Sequence, residues 1–310
     1  MTIEKPCLDW DAQVSLLRSR GLVIDDEQQC RAFLMGNNYY RFSGYARYFQ
    51  KSPEYDDNDF EKGTTFTTIK NIYEADEALR PMLLRRLSQV EVMLRSHTAY
   101  VIGREYGPYN RYLDADFYVE GRNGENVANK CTEDIGRSKE RFIQHFCSSN
   151  ASNGGPKKYR GVPIWAAVET WSFGTLSKCI ERGGKDGEGH ARLESQIAES
   201  MGQRHAGFAN RVRAFVYLRN RCAHHDRLWN HSVLDAGPTS RSDRKRTRDM
   251  TGPFSARSIM DIIASLDGFV RETPMEPIAQ EIANTFKKND IYWNGLLNPT
   301  PPTDHKSQFN

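Results

Sequence analysis

Residues 208–230 read Phe208-Ala-Asn-Arg-Val-Arg-Ala-Phe-Val-Tyr-Leu-Arg-Asn-Arg-Cys-Ala-His-His-Asp-Arg-Leu-Trp-Asn230. Phe208, Val212, Phe215 and Leu218 recur at three- and four-residue steps, the spacing of one helical face. The spacing predicts a helix over 206–225. The thirteen residues 218–230 carry three arginines, two histidines and two asparagines. On a helix Asn220 and His224 lie one turn apart. Arg219 points about 100° away from Asn220, but its long side chain can reach a phosphate beside His224.

Such a cluster suits phosphodiester cleavage without metal. Imidazole exchanges a proton near neutrality. A guanidinium stays charged and presents a planar fork of donors to phosphate oxygens. Asn220 can orient the imidazole or donate to an oxyanion. In RNA the 2′-OH is the nucleophile, so the protein supplies only proton transfer and charge stabilisation. Taken alone, an arginine and a histidine at this spacing are more often structural, and the neighbourhood has to decide.

Outward from this stretch the chain reads as helices. No clear alternating strand pattern appears, and the expected fold class is all-α. Residues 9–50 read as short helices, the first ending at Gly21 and the second capped by Asp25 or Asp26. Residues 38–50 interleave aromatics with Arg41 and Arg47. This segment reads as a core anchor with polar tips, with Arg41 as a candidate RNA contact. Residues 51–64 read as a loop. The longest helical pattern runs from Thr67 to about Gly103, with Ile69, Ile72, Leu79, Leu83, Leu87, Val90 and Leu94 on one face and a kink or break expected at Pro81. Glu91 and Arg95 are four apart beside that face, suited either to a core ion pair or to a place in an active-site groove.

Residues 127–146 read as one helix and 148–161 as a loop. Pro163 then opens a helix that places Trp165, Val168, Ser172, Phe173 and Glu169 on a shared face. A carboxylate on that face calls for a base, with Arg219, Arg221 and His224 as candidates. Leu193–Ser200 is a further short helix. Residues 238–250 hold Arg241, Arg244, Lys245, Arg246 and Arg248 against Asp243 and Asp249. Their low apolar content predicts a disordered or exposed arm, either phosphate-binding or a solvated linker. Two amphipathic helices, 258–271 and 274–286, and a polar tail follow.

The 310 residues are 38% hydrophobic and carry a net charge of only +3, so an RNA site must come from local clustering. No apolar run of membrane-spanning length occurs. The first residues lack the apolar core of a signal peptide, and a cytoplasmic location is expected. The six cysteines show no Cys-x-x-Cys or zinc spacing and read as reduced thiols. His224, His225 and Asp226 diverge around a helix, so no metal and no cofactor is expected.

Arg-Asn-x-Cys-Ala-His-His-x-Arg-Leu-Trp-Asn, residues 219–230, resembles the signature of Abi-like proteins, the AbiD/AbiF group of bacterial abortive-infection factors. Within it Arg219-Asn220-x3-His224 is similar to the Arg-Asn-x3-His motif of HEPN-superfamily ribonucleases. Three other blocks agree in order: residues 38–45 (Asn-Tyr-Tyr-Arg-Phe-Ser-Gly-Tyr), residues 73–80 with Glu91-x3-Arg95-Ser96, and Pro163-x-Trp165-x3-Glu169-x2-Ser172-Phe173-Gly174. The resemblance covers roughly residues 12–232. Pro81 and the basic segment after residue 236 depart from it.

The resemblance implies a HEPN-like helical bundle over 61–232, between an N-terminal helical extension (1–60) and a basic arm with C-terminal helices (233–310). It implies a metal-independent endoribonuclease of phage defence, with His224 as general acid or base, Arg219 stabilising phosphate charge and Asn220 orienting one of them. His225, Arg95, Glu91 and Glu169 would support the site. Expected products carry a 2′,3′-cyclic phosphate and a 5′-OH. Expected partners are substrate RNA, a small structured RNA and a second copy of the chain, so that two motif helices form one groove. The alternative is a catalytically silent RNA-binding protein regulated by a small structured RNA.

Overall fold

The apolar stripe from Ile69 to Leu94 becomes the inner face of one 40-residue helix in the computed structural model. The structure describes residues 6–53, 57–121, 124–147, 156–233, 237, 239–271 and 273–300. Among them run α1 (Trp10–Ser19), α2 (Glu27–Asn37), α3 (Tyr39–Ala46), β1 (Gln50–Ser52), β2 (Asp57–Phe60), α4 (Phe66–Glu105), α5 (Val127–Arg137), α6 (Arg141–Phe146) and α7 (Ile164–Thr170). Then follow α8 (Phe173–Arg182), α9 (Leu193–Ser200), α10 (Phe208–Ala223), α11 (Arg241–Thr251), α12 (Ile259–Val270), α13 (Ala279–Phe286) and α14 (Asp290–Leu297). The fold is all-α, with one small antiparallel pair in which Gln50 faces Phe60 and Ser52 faces Asp57. That pair lies where the sequence reads as a loop. Its strands have few apolar residues, and periodicity does not show them.

Helix α4 is the axle. Thr65 caps its start by accepting from the Thr68 N–H at 3.0 Å. The helix packs against α3, α7, α8, α9, α10 and α14. It runs through Pro81 without the expected break. Pro81 is exposed, and the carbonyl it leaves without a helical partner belongs to exposed Glu77, within reach of water. Buried Leu79 and Leu83 hold both sides of the proline against the core.

Two further expectations are corrected. The span 127–146 is two helices, because Ser138 turns to extended backbone between α5 and α6. The basic segment is no arm: 241–251 is helix α11, packed on α12 and α13. Its low apolar content misleads because a buried acid of α12 docks it. Arg244 makes a two-pronged pair with buried Asp261 at 2.7 and 2.8 Å, and Arg248 donates to the Phe254 carbonyl at 3.1 Å. Helix α12 itself is buried along its whole length. Its second acid, Asp267, accepts the N–H groups of Ile278 and Ala279 that open α13.

The deepest polar contact lies on α4. Asp76 has no exposed surface. Its carboxylate accepts from Tyr45 Oη at 2.8 Å, Tyr292 Oη at 2.9 Å, and the backbone N–H groups of Leu228 and Trp229 at 2.7 and 3.1 Å. The Arg80 guanidinium stands 3.8 Å away. Burial pushes this carboxyl above its ordinary range; the Leu228 N–H, the two tyrosines and Arg80 work against that. One side chain thus ties α3, α4, α14 and the segment just after α10. Trp229, in that segment, stacks on Phe49 with ring centres 6.0 Å apart and donates its indole N–H to the Ile291 carbonyl. Asp76→Ala leaves two buried N–H groups, two hydroxyls and Arg80 without their acceptor. We expect it to cost about 3–5 kcal/mol of unfolding free energy, read from denaturant midpoints. A loss below about 1 kcal/mol would show that water replaces the carboxylate and that the tie is not structural.

Candidate functional site

Helix α10 ends one residue before His224, earlier than periodicity suggests. The His224 N–H still bonds the Asn220 carbonyl at 2.9 Å, which keeps the two residues one turn apart. The chain then closes a Schellman turn: His225 N–H reaches the Cys222 carbonyl at 3.2 Å and Asp226 N–H the Arg221 carbonyl at 2.8 Å. The residue in the left-handed position of such a turn is usually glycine. Here it is His225, at φ 57°. A side chain held there is strained, and such strain persists only where neighbours over-determine it.

The neighbours are arginines. Arg41 of α3 donates to the His225 carbonyl. Arg80 of α4 approaches the Asp226 carbonyl at 3.5 Å, and Arg221 donates to the Arg227 carbonyl at 2.5 Å. Asp76 then takes the next two N–H groups. Five consecutive residues, 225–229, are therefore held through their backbone. The side chains of His224 and His225 remain exposed.

Arg219 lies on the flank toward α4 and α8. It pairs with Glu91 at 3.1 Å, lies over the Phe173 ring at 5.8 Å, and donates to Asn220 Oδ1 at 3.1 Å. Glu91 also meets Arg95 at 2.5 Å. Arg95 is buried and spends its other donors on the Val168 and Trp171 carbonyls at the end of α7. Two guanidinium groups thus share one carboxylate, which leaves the cluster one net positive charge. The Arg219 side chain is 30% exposed, against 10% for Arg95, so Arg219 is the one a solvent-borne anion can reach.

The residues singled out in the sequence fall into three places. Arg219, Asn220, His224 and His225 share the end of α10, with Arg41 beneath the turn and Glu91 and Arg95 alongside. The Asn220 side chain bonds Arg219 rather than His224 among the described residues. Glu169 is exposed, and the carboxylate that meets Arg219 is Glu91. The shared face expected for Glu169 does not form, because extended backbone at Trp171 and Ser172 separates α7 from α8. Arg241, Arg244, Lys245, Arg246 and Arg248 lie on α11, apart from the motif in sequence and in element.

Sequence reasoning missed the roles of Asp76 and Arg80 and a half-buried pair beside the motif. His231 stacks on Tyr217 and shares a hydrogen bond with its hydroxyl. Burial, then the charges of Arg221 and Arg227, push its imidazole down to about 3. One signal was available: Asp76 and Arg80 are charges four apart on the apolar stripe of α4, where only paired groups survive burial. Nothing in the sequence marks His231.

A family model described as Abi-like protein matches residues 32–230. No curated protein and no solved structure matches the chain. The matched span begins within α2 and ends at Asn230, one residue past the segment that Asp76 holds. It therefore contains every group that shapes the end of α10 except Tyr292, and family membership implies a place in abortive-infection phage defence. The chain belongs to the Abi-like protein family.

Proposed function

We propose that this chain is a metal-independent endoribonuclease acting in abortive-infection phage defence. The observation that carries the reading is the set of half-buried Arg219 and Asn220 with exposed His224, at a helix end whose following turn is locked through its backbone. A site that moves protons must hold its groups still while leaving them open to substrate. In the proposed reaction the 2′-OH attacks the adjacent phosphorus, and the O5′ bond breaks to leave a 2′,3′-cyclic phosphate and a 5′-OH. His224 exchanges the proton, a contribution of typically about 10²–10⁴ in rate. Arg219 stabilises the extra charge on the phosphorane, with Asn220 bonded to it and Glu91 setting its direction. His231 is neutral and engaged with Tyr217, and it does not serve as the proton carrier.

One chain provides one Arg219 and one His224, whereas the reaction needs one group to accept a proton and another to donate one. Two α10 ends meeting across a twofold axis provide both, and such a self-complementary pairing is the commonest way soluble chains associate. The expected assembly is a homodimer with a composite groove. Among the described residues, no helix is long and apolar enough to cross a membrane. On α11, Arg241 and Lys245 are exposed and make no ion pair or hydrogen bond among the described residues. They are the members of the basic segment best placed to meet RNA phosphate.

Four outcomes are expected. His224→Ala abolishes RNA cleavage with little change in melting temperature, and the wild type cleaves in EDTA. Activity restored only by magnesium would refute the mechanism, and RNA binding without any turnover would favour the silent regulatory module. Mixing Arg219→Ala with His224→Ala chains restores partial activity, because a mixed dimer keeps one copy of each group; a monomer that cleaves by light-scattering mass would overturn the composite groove. Arg241→Ala with Lys245→Ala flattens the dependence of log affinity on log salt by up to about 0.7 per lost contact for single-stranded RNA. An unchanged slope makes α11 purely structural.

A further inference from the structure

Beside the locked turn lies a cavity of about 570 Å³ that the proposed chemistry does not use. It opens between α1, the junction of α2 and α3, and the N-terminal part of α4. Its size falls in the range of small-molecule sites, about 300–1,000 Å³. Trp10 and Tyr39 line it with aromatic surface, and Gln13 and Asn37 with amides. Trp10 is 43% exposed; the Arg31 guanidinium lies over its ring at 5.7 Å, and the rest of the indole is open to a flat ligand. The Gln13 amide donates to the Leu8 carbonyl at 2.9 Å.

On α4 the cavity is lined by Arg80 and by the carboxylate of Glu77. Arg41 and His225 are part of its wall, and Arg41 is the residue that holds the His225 carbonyl. The cavity therefore shares a wall with the turn that follows His224. Aromatic side chains with a guanidinium toward the reacting end are the groups that hold a nucleobase while leaving its phosphate outside.

We propose that this cavity takes one unpaired base of the RNA strand, next to the phosphodiester presented to His224. The proposal deepens the ribonuclease reading and rests on it for the identity of the polymer. It makes the substrate single-stranded at the cut, because a base inside a duplex has its edges paired and its faces stacked. It also gives the enzyme a base preference on one side of the cleaved bond.

Gly36 allows a clean test. It lines the cavity, and a Cβ built on it meets nothing within 4 Å. It lies in α2, and neither alanine nor tryptophan there is strained by a left-handed backbone. The full chain carrying His224→Ala is titrated with AMP, GMP, CMP and UMP by calorimetry and NMR. At least one is expected to bind with Kd near or below about 1 mM, the affinity of a weak single-site ligand. Trp10→Ala weakens it about five- to a hundred-fold, the range for loss of one base–aromatic stack. Gly36→Trp abolishes binding, whereas Gly36→Ala keeps it, which separates a filled cavity from a misfolded helix. In the chain with His224 intact, Gly36→Trp erases the base preference at sequenced cleavage ends. No binding by any nucleotide overturns the proposal, as does binding that Gly36→Trp leaves unchanged or that inorganic phosphate displaces equally well. Nucleotide binding lost in Gly36→Trp, in a chain that cleaves no RNA, upholds the pocket and overturns the ribonuclease reading.

Discussion

A carboxylate with no exposed surface holds this molecule in register. Asp76 accepts four hydrogen bonds, two from tyrosines at opposite ends of the chain and two from backbone N–H groups just beyond the motif helix. Removing an ion from water is costly, and full pairing is what makes burial tolerable. The consequence reaches the surface. With Leu228 and Trp229 pinned, the preceding turn has little freedom, and Arg41, Arg80 and Arg221 take up its carbonyls in sequence. The strained backbone at His225 is affordable in that setting, since every neighbour of the turn is already committed.

The same logic governs the flank of the site. Arg95 ends α7 by taking its last carbonyls, and Glu91 then has one oxygen pair to divide between Arg95 and Arg219. The buried arginine is structural, and the half-exposed one inherits a fixed direction from it. A guanidinium aimed in advance loses less entropy on meeting a phosphate than one free on the surface. Architecture and candidate chemistry are thus joined through a single shared carboxylate.

The C-terminal third follows a related rule with other residues. Helix α12 buries two aspartates, and each one organises a neighbour: Asp261 docks basic α11, and Asp267 opens α13. Composition alone made 238–250 look unstructured, because a segment poor in apolar residues has little reason to fold by itself. Its reason to fold lies some seventeen residues away, at Asp261.

What the sequence by itself determined was periodic or contiguous. The apolar repeats of α4 and α10 announced helices and the all-α class, because side chains three and four apart share a face whatever surrounds them. The contiguous run from Arg219 to Asn230 announced the family and the candidate site. The Glu91–Arg95 pair was legible for the same reason, as a contact one helical turn long. Tertiary structure alone decided that Glu91 rather than Glu169 meets Arg219, that α4 passes through Pro81, and that α11 is docked. It also decided that Asp76 reaches residues 152 and 216 positions away. Such choices depend on which faces meet when helices pack, and a buried charge is satisfied by whichever donor arrives there, which no local pattern encodes.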